Sequence, residues 1–223
     1  MKGELWRIAE EQAASSLQNS VDADEGEIDF LEGLVAETKP EKVLERKFIQ
    51  MGYHYLVYSQ FRYPPPVPSQ YQARFKPPFH GNNVFYGSIE TDTSMHEYAY
   101  HWMRQRLHLK KLKRKAEPRT LFSVDFRDDH ITDLTEHPNL ANIMDRTDYS
   151  ASHVFVKANW CSSILYPSVR HQGGLNVAVN DIALLSKGPT HQENIRLTFD
   201  AKIQGCKIKT AFETVTVLWS HVS

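Results

Sequence analysis

The chain has 223 residues, 41% hydrophobic and 24% charged. That suffices for one sizeable domain with its own core, and a formal net charge of −1 supplies no general attraction to nucleic acid or an anionic membrane. Cys161 and Cys206 make neither a disulfide framework nor a metal-ligand spacing, and no apolar run approaches the ~18 residues of a membrane span, so a reducing, cytoplasmic setting is expected.

Leu5, Ile8, Ala9 and Ala13 fall at helical spacing, as do Ile28, Leu31 and Leu34 after the turn-like Asp22-Ala23-Asp24. Residues 1–45 therefore read as an N-terminal extension of two amphipathic helices, closed by Lys39-Pro40. It precedes a main domain over 46–223, the whole forming one compact unit. Residues 53–58 suit a strand, and Pro64-Pro65-Pro66-Val67-Pro68 then fixes an extended path. Residues 83–86 read as the next strand. Residues 92–107 read as a helix with Met95, Ala99, Trp102 and Met103 on one side.

In residues 121–126 Phe122, Val124 and Phe126 alternate, the signature of a half-buried strand. A helix is expected over 148–162, then short strands at 164–166 and 176–179. Residues 195–203 and 207–219 are strand-like about a turn at Gln204-Gly205. Strands interspersed with helices, without a regular βαβ rhythm, predict a mixed α/β or α+β single domain.

Four polar residues stand at the ends of these elements: Arg62, Tyr86, Glu97 and Ser168, the last in the turn-like Tyr166-Pro167-Ser168-Val169-Arg170. Taken singly, each has a plain structural reading. Ser94-Met95-His96-Glu97 is a capping box, so Glu97 could serve only its helix. Arg62 alone is a surface arginine, Tyr86 a core aromatic, Ser168 turn chemistry, and Gly173-Gly174 a turn needing positive φ.

Taken together, in order, the segments resemble the RES family, named for Arg, Glu and Ser. Phe61-Arg62-Tyr63 is similar to its early arginine segment and Ala73-Arg74-Phe75-Lys76-Pro77-Pro78 to its Gly-Arg-Trp-Asn-Pro-Pro stretch. Val84-Phe85-Tyr86 stands for the strand ending in tyrosine, and Asp92-Thr93-Ser94-Met95-His96-Glu97 for the helix that carries the acid. Leu165-Tyr166-Pro167-Ser168-Val169-Arg170 and Gly173-Gly174-Leu175-Asn176-Val177-Ala178 resemble the serine segment and the Gly-Gly-x-Asn run after it. Leu5-Trp6-Arg7-Ile8 resembles the start of the family's longer members. The resemblance spans residues 4–180. Lys76 stands where asparagine is usual, Thr93 departs at the helix start, and the chain after about Leu185 matches poorly.

The resemblance implies a fold similar to ADP-ribosyltransferases and a growth-arresting toxin that cleaves the nicotinamide–ribose bond of NAD+. NAD+ is then substrate, no cofactor or metal is required, and either water or inorganic phosphate serves as acceptor. ADP-ribosyl transfer to a protein stays open as an alternative. The implied partner is a small DNA-binding antitoxin of the Xre type, with a homodimer a further option. Glu97 would stabilise the oxocarbenium-like ribose, and Arg62 would clamp the pyrophosphate, supported or replaced by Arg74. Tyr86 would stack on nicotinamide, Ser168 would hydrogen-bond the ribose or the amide, and Asn176 would add a further NAD+ contact.

Competing chemistries fit less well. His96-Glu97 and His101 suggest a zinc protease, but ligands five residues apart do not share a helix face. Neither Ser88 nor Ser168 sits in a Gly-x-Ser-x-Gly elbow. The run Lys110-Lys111-Leu112-Lys113-Arg114-Lys115 reads as a solvated helix end; an RNA-directed toxin using it is the alternative, though no aromatics interleave it and nucleic acid is not the expected partner.

Overall fold

Leu5 and Ile8, at 0% and 3% exposure, are core residues on opposite faces of a strand, β1 (Lys2–Glu10). This corrects the helix expected there. Leu5 packs with Phe85 and Phe122, Ile8 with Met95 and Ala99. A strand buried on both faces carries apolar residues at odd and even positions, and Leu5, Ile8 and Ala9 thereby imitate helical spacing.

The computed structural model describes residues 1–10, 43–61, 73–76, 83–106, 116–159 and 161–222. The second expected helix, Arg62, the proline run and the 110–115 basic cluster lie outside them. After β1 come helices α1 (Val43–Gln50) and α2 (Tyr55–Tyr58), strand β2 (Phe85–Ser88), helix α3 (Thr91–Arg106) and strands β3 (Glu117–Arg127) and β4 (Thr132–Asp133). Helices α4 (Leu140–Ile143) and α5 (Ser150–Ala158) follow, then strands β5 (Ser163–Pro167) and β6 (Leu175–Val179). Strands β7 (His191–Asp200), β8 (Gly205–Lys209) and β9 (Thr214–Leu218) lead to a last short helix, α6 (Trp219–Val222). The strand expected over 53–58 is instead largely helix α2, whose N-cap His54 accepts a hydrogen bond from the Leu56 amide at 3.3 Å. A short apolar run does not tell a buried helical turn from a buried strand.

The strands form a nine-stranded sheet in the order β4-β5-β6-β2-β1-β3-β7-β8-β9, antiparallel except for the parallel β4–β5 pair. With helices packed about it, the sheet makes an α+β domain. Residues 2–10 sit in its middle, between β2 and β3.

Alternation sorts side chains between faces. Phe122, Val124 and Phe126 of β3 and Val177 and Val179 of β6 join Leu56 and Val57 of α2 in one core. Leu121 and the strands β7–β9 bury Met95, Ala99 and Met103 of α3 in a second. Ala178 and Ile164 meet Ile143 of α4 and Val156 of α5 in a third. One detail positions the site. Strand β1 pairs with β3 along its whole length, Lys2 opposite Arg127 to Glu10 opposite Arg119, but meets β2 only at Trp6 opposite Ser88. The sheet is split beyond that pair.

Candidate active site

A cleft of about 360 Å³ lies at this split, within the range of small-molecule sites. Its walls come from both sheet halves and from α3. Trp6, Arg7 and Ile8 of β1 and Tyr86, Gly87 and Ser88 of β2 line it, together with Glu97 and His101 of α3, Tyr166 of β5 and Asn176 of β6 among others.

Glu97 is the centre of the polar network. Its Oε1 accepts from Ser168 Oγ at 2.7 Å and from Asn176 Nδ2 at 2.8 Å. Helix α3 begins at Thr91, so Ser94 is already inside it, its amide donating to Glu90 O at 3.1 Å. The capping-box geometry is therefore absent, and Glu97 bonds to two other elements instead. Ser168 is held in turn by the backbone: its Oγ accepts from the amides of Arg170 at 3.0 Å and His171 at 2.9 Å. A hydroxyl has one proton and two lone pairs, so Ser168 has none left for a sugar in this geometry. The turn itself depends on its glycines. Gly173 has φ of +80°, and a Cβ on Gly174 would lie 2.4 Å from Thr93 Oγ1.

Arg7, in the stretch expected to be a helix, also lines the cleft, and the sequence did not single it out. Its Nη1 donates to Tyr86 O at 2.6 Å, across the split where a β1–β2 ladder would otherwise run. Its Cζ lies 5.4 Å from the centre of the Phe85 ring, and its Nε is buried with no hydrogen-bond partner among the described residues. Burial pushes its pKa down to about 10. Arginine is always a donor and never an acceptor, so an acceptor group of a ligand in the cleft would satisfy this Nε–H, an anionic one best. The signal was one arginine within an apolar stretch, Leu5-Trp6-Arg7-Ile8, which the resemblance matched without giving Arg7 a role.

Arg74 lines the cleft too, but its Nη1 donates to Ile143 O at 2.8 Å and Asp145 O at 2.7 Å, fastening the segment after α4. Its guanidinium lies 5.0 Å from the Tyr149 ring centre. Tyr86 turns its ring to the cleft, and its hydroxyl accepts from the Phe75 amide at 3.3 Å. Burial raises the pKa of this phenol and of Tyr166, where nearby Glu97 adds to the effect. Arg170 stacks over Tyr100 at 3.5 Å and donates to Val222 O at 2.8 Å, tying the Ser168 turn to α6. His101 is held below the usual imidazole value, first by desolvation, with Glu97 acting against it and Arg170, Arg104 and Arg7 reinforcing it. Thus Tyr86, Glu97, Asn176 and Arg74 line one cleft and Ser168 stands directly behind Glu97.

The split α+β sheet thus brings a carboxylate and a half-buried arginine into one cleft of small-molecule size. A family model, that of the RES domain, matches residues 48–200. That is more than half of the chain, which therefore belongs to the RES family. The matched stretch begins after β1, covers α2 through β7 and reaches past Leu185. No curated protein matches the chain. Among solved structures it is similar to a chain from the crystal structure of the M. tuberculosis MbcT-MbcA toxin-antitoxin complex, at 12% identity. The likeness covers 87% of this chain and 84% of that one, with a TM-score of 0.46.

Proposed function

We propose that this protein is a toxin-type enzyme that cleaves the nicotinamide–ribose bond of NAD+, passing ADP-ribose to water or phosphate. The observation that carries the reading is the pairing, in one cleft, of a carboxylate fixed by two donors with an arginine whose buried Nε lacks a partner among the described residues. Departure of nicotinamide leaves positive charge on C1 of the ribose, and a preorganised carboxylate stabilises charge that appears only then. Arg7 takes the pyrophosphate, a role the sequence reading gave to Arg62 with Arg74 in support. The ring of Tyr86 stacks on the nicotinamide. Membership of the RES family supports the reading, since NAD+ breakdown is what the resemblance implied. The fold would then be a relative of the ADP-ribosyltransferases.

Cleavage of a shared metabolite demands restraint, so a small DNA-binding antitoxin that enters the cleft is the partner we expect, with the cytoplasm as the place of action. Among the described residues no helix is long and apolar enough to cross a membrane. The test is incubation with NAD+, with and without phosphate, and separation of the products. Nicotinamide with ADP-ribose indicates hydrolysis, and nicotinamide with ADP-ribose phosphate indicates phosphorolysis. Intact NAD+ in both arms overturns the proposal, and label retained on a protein substrate turns it to ADP-ribosyl transfer.

A further inference from the structure

Three strands carry a row of polar and aromatic side chains beneath α3. Ser88 of β2 lies opposite Asn176 of β6, and Asn176 lies opposite Tyr166 of β5, so the three share one face of the sheet. Ser88 is 4% exposed and Asn176 3%. Ser88 Oγ donates to Asn176 Oδ1 at 2.7 Å, and Asn176 Nδ2 donates to Glu97 Oε1 at 2.8 Å.

The direction of this chain is forced. An ionised carboxylate only accepts, so Asn176 must turn its NH2 to Glu97 and its carbonyl oxygen to Ser88, which must then be the donor. The other bond to Oε1 is forced in the same way: two amides occupy the lone pairs of Ser168 Oγ, leaving its proton only Glu97. Both donors to Glu97 among the described residues end on Oε1, which thereby has its two in-plane lone pairs filled.

Resting on the reading of Glu97 as the catalytic carboxylate, we propose that Ser88, Asn176 and Ser168 are positioning residues. They saturate Oε1 and lock the side chain so that Oε2 alone meets the ribose. This reassigns Ser168 and Asn176, expected from the sequence to touch NAD+, and adds Ser88, which no motif singled out. A carboxylate with one oxygen anchored by two bonds has a fixed plane. Without them it turns about its last torsion, and a displacement of about 1 Å in a reacting group can cost on the order of 100-fold in rate.

The experiment uses Ser88→Ala, Ser88→Thr, Asn176→Ala and Ser168→Ala in the full chain. Steady-state kinetics on NAD+ should show kcat reduced roughly 10- to 100-fold in the alanine variants, the usual cost of losing a group that orients another. KM should stay within about twofold, because ground-state contacts remain. Ser88→Thr keeps the hydroxyl and should restore most of kcat. A rise in KM with kcat retained would show that these residues touch substrate, and overturns the proposal. A crystal structure of Ser88→Ala gives a readout that needs no activity. The Glu97 carboxylate should turn or split between rotamers while α3 stays in place. If it keeps its wild-type orientation, the relay is refuted whatever the substrate. If it turns but the wild-type protein leaves NAD+ intact, the relay stands and the NAD+ reading falls.

Discussion

Arg7 and Glu97 face one cleft with opposite electrostatic needs. The Glu97 oxygen Oε1 has its donors, whereas Arg7 spends Nη1 on a backbone carbonyl and keeps a buried Nε without a partner among the described residues. Desolvating a cation opposes its charge, and a bound pyrophosphate would remove that cost while making a charge-assisted pair. The two residues should therefore fail differently. Glu97→Gln removes charge needed only in the transition state, so kcat should drop roughly 10²- to 10³-fold while KM and the melting temperature barely move. Arg7→Gln removes a ground-state contact worth about 1.5–3 kcal/mol, so KM for NAD+ should rise by one to two orders of magnitude, with kcat changed less. Kinetics and thermal melts on both variants check this split. Glu97→Gln retaining more than about a tenth of wild-type turnover would rule the carboxylate out. An unchanged KM in Arg7→Gln would return the clamp to Arg62 or to Arg74.

Among the elements, β1 shows how a pattern misleads. Its apolar residues occupy both parities because α3 covers one face and α2 with its neighbours covers the other, and no period then distinguishes strand from helix. Where one face dominates, as in Phe122, Val124 and Phe126 of β3, the alternation was readable. After Leu185 the strand character and the turn at Gln204-Gly205 were readable, but residues 207–219 are two antiparallel strands, β8 and β9, rather than one. Helix α3, Tyr86, Glu97, Ser168 and Asn176 could be placed because turn residues and the family's motifs mark them in order. Arg7 could not be placed, since its role depends on a split between β1 and β2 that only the tertiary pairing creates. Substitution separates a central strand from an appendage. Leu5 is 0% exposed and packs among Phe85, Phe122 and Val124, so Leu5→Ala should cost about 2–5 kcal/mol by leaving a cavity. Chemical denaturation measures it. A loss of under about 0.5 kcal/mol, the size expected for an exposed site, would mean that residues 2–10 are a dispensable prop after all.

For the molecule as a whole, the proposed activity implies a consequence out of proportion to its abundance. The split sheet leaves a cleft sized for a small molecule, and the proposed substrate is a diffusible metabolite drawn on by the whole cell. An enzyme working at an ordinary rate, about 10 turnovers per second, consumes its own concentration of NAD+ roughly ten times each second. A pool about a thousand-fold larger than the enzyme would then last on the order of 100 s at that rate. Damage by stoichiometric binding could not act at such a ratio. Expression of the chain in bacteria without its partner should therefore stop growth, and the fall in NAD+ should come before the arrest. Glu97→Gln, expressed to the same level and folded, should leave both growth and NAD+ near normal, which separates chemistry from the burden of expression. Time-resolved extraction of nucleotides alongside optical density gives both curves. Arrest with NAD+ held constant would point to a different target, and the basic run at 110–115 would then direct the search toward RNA.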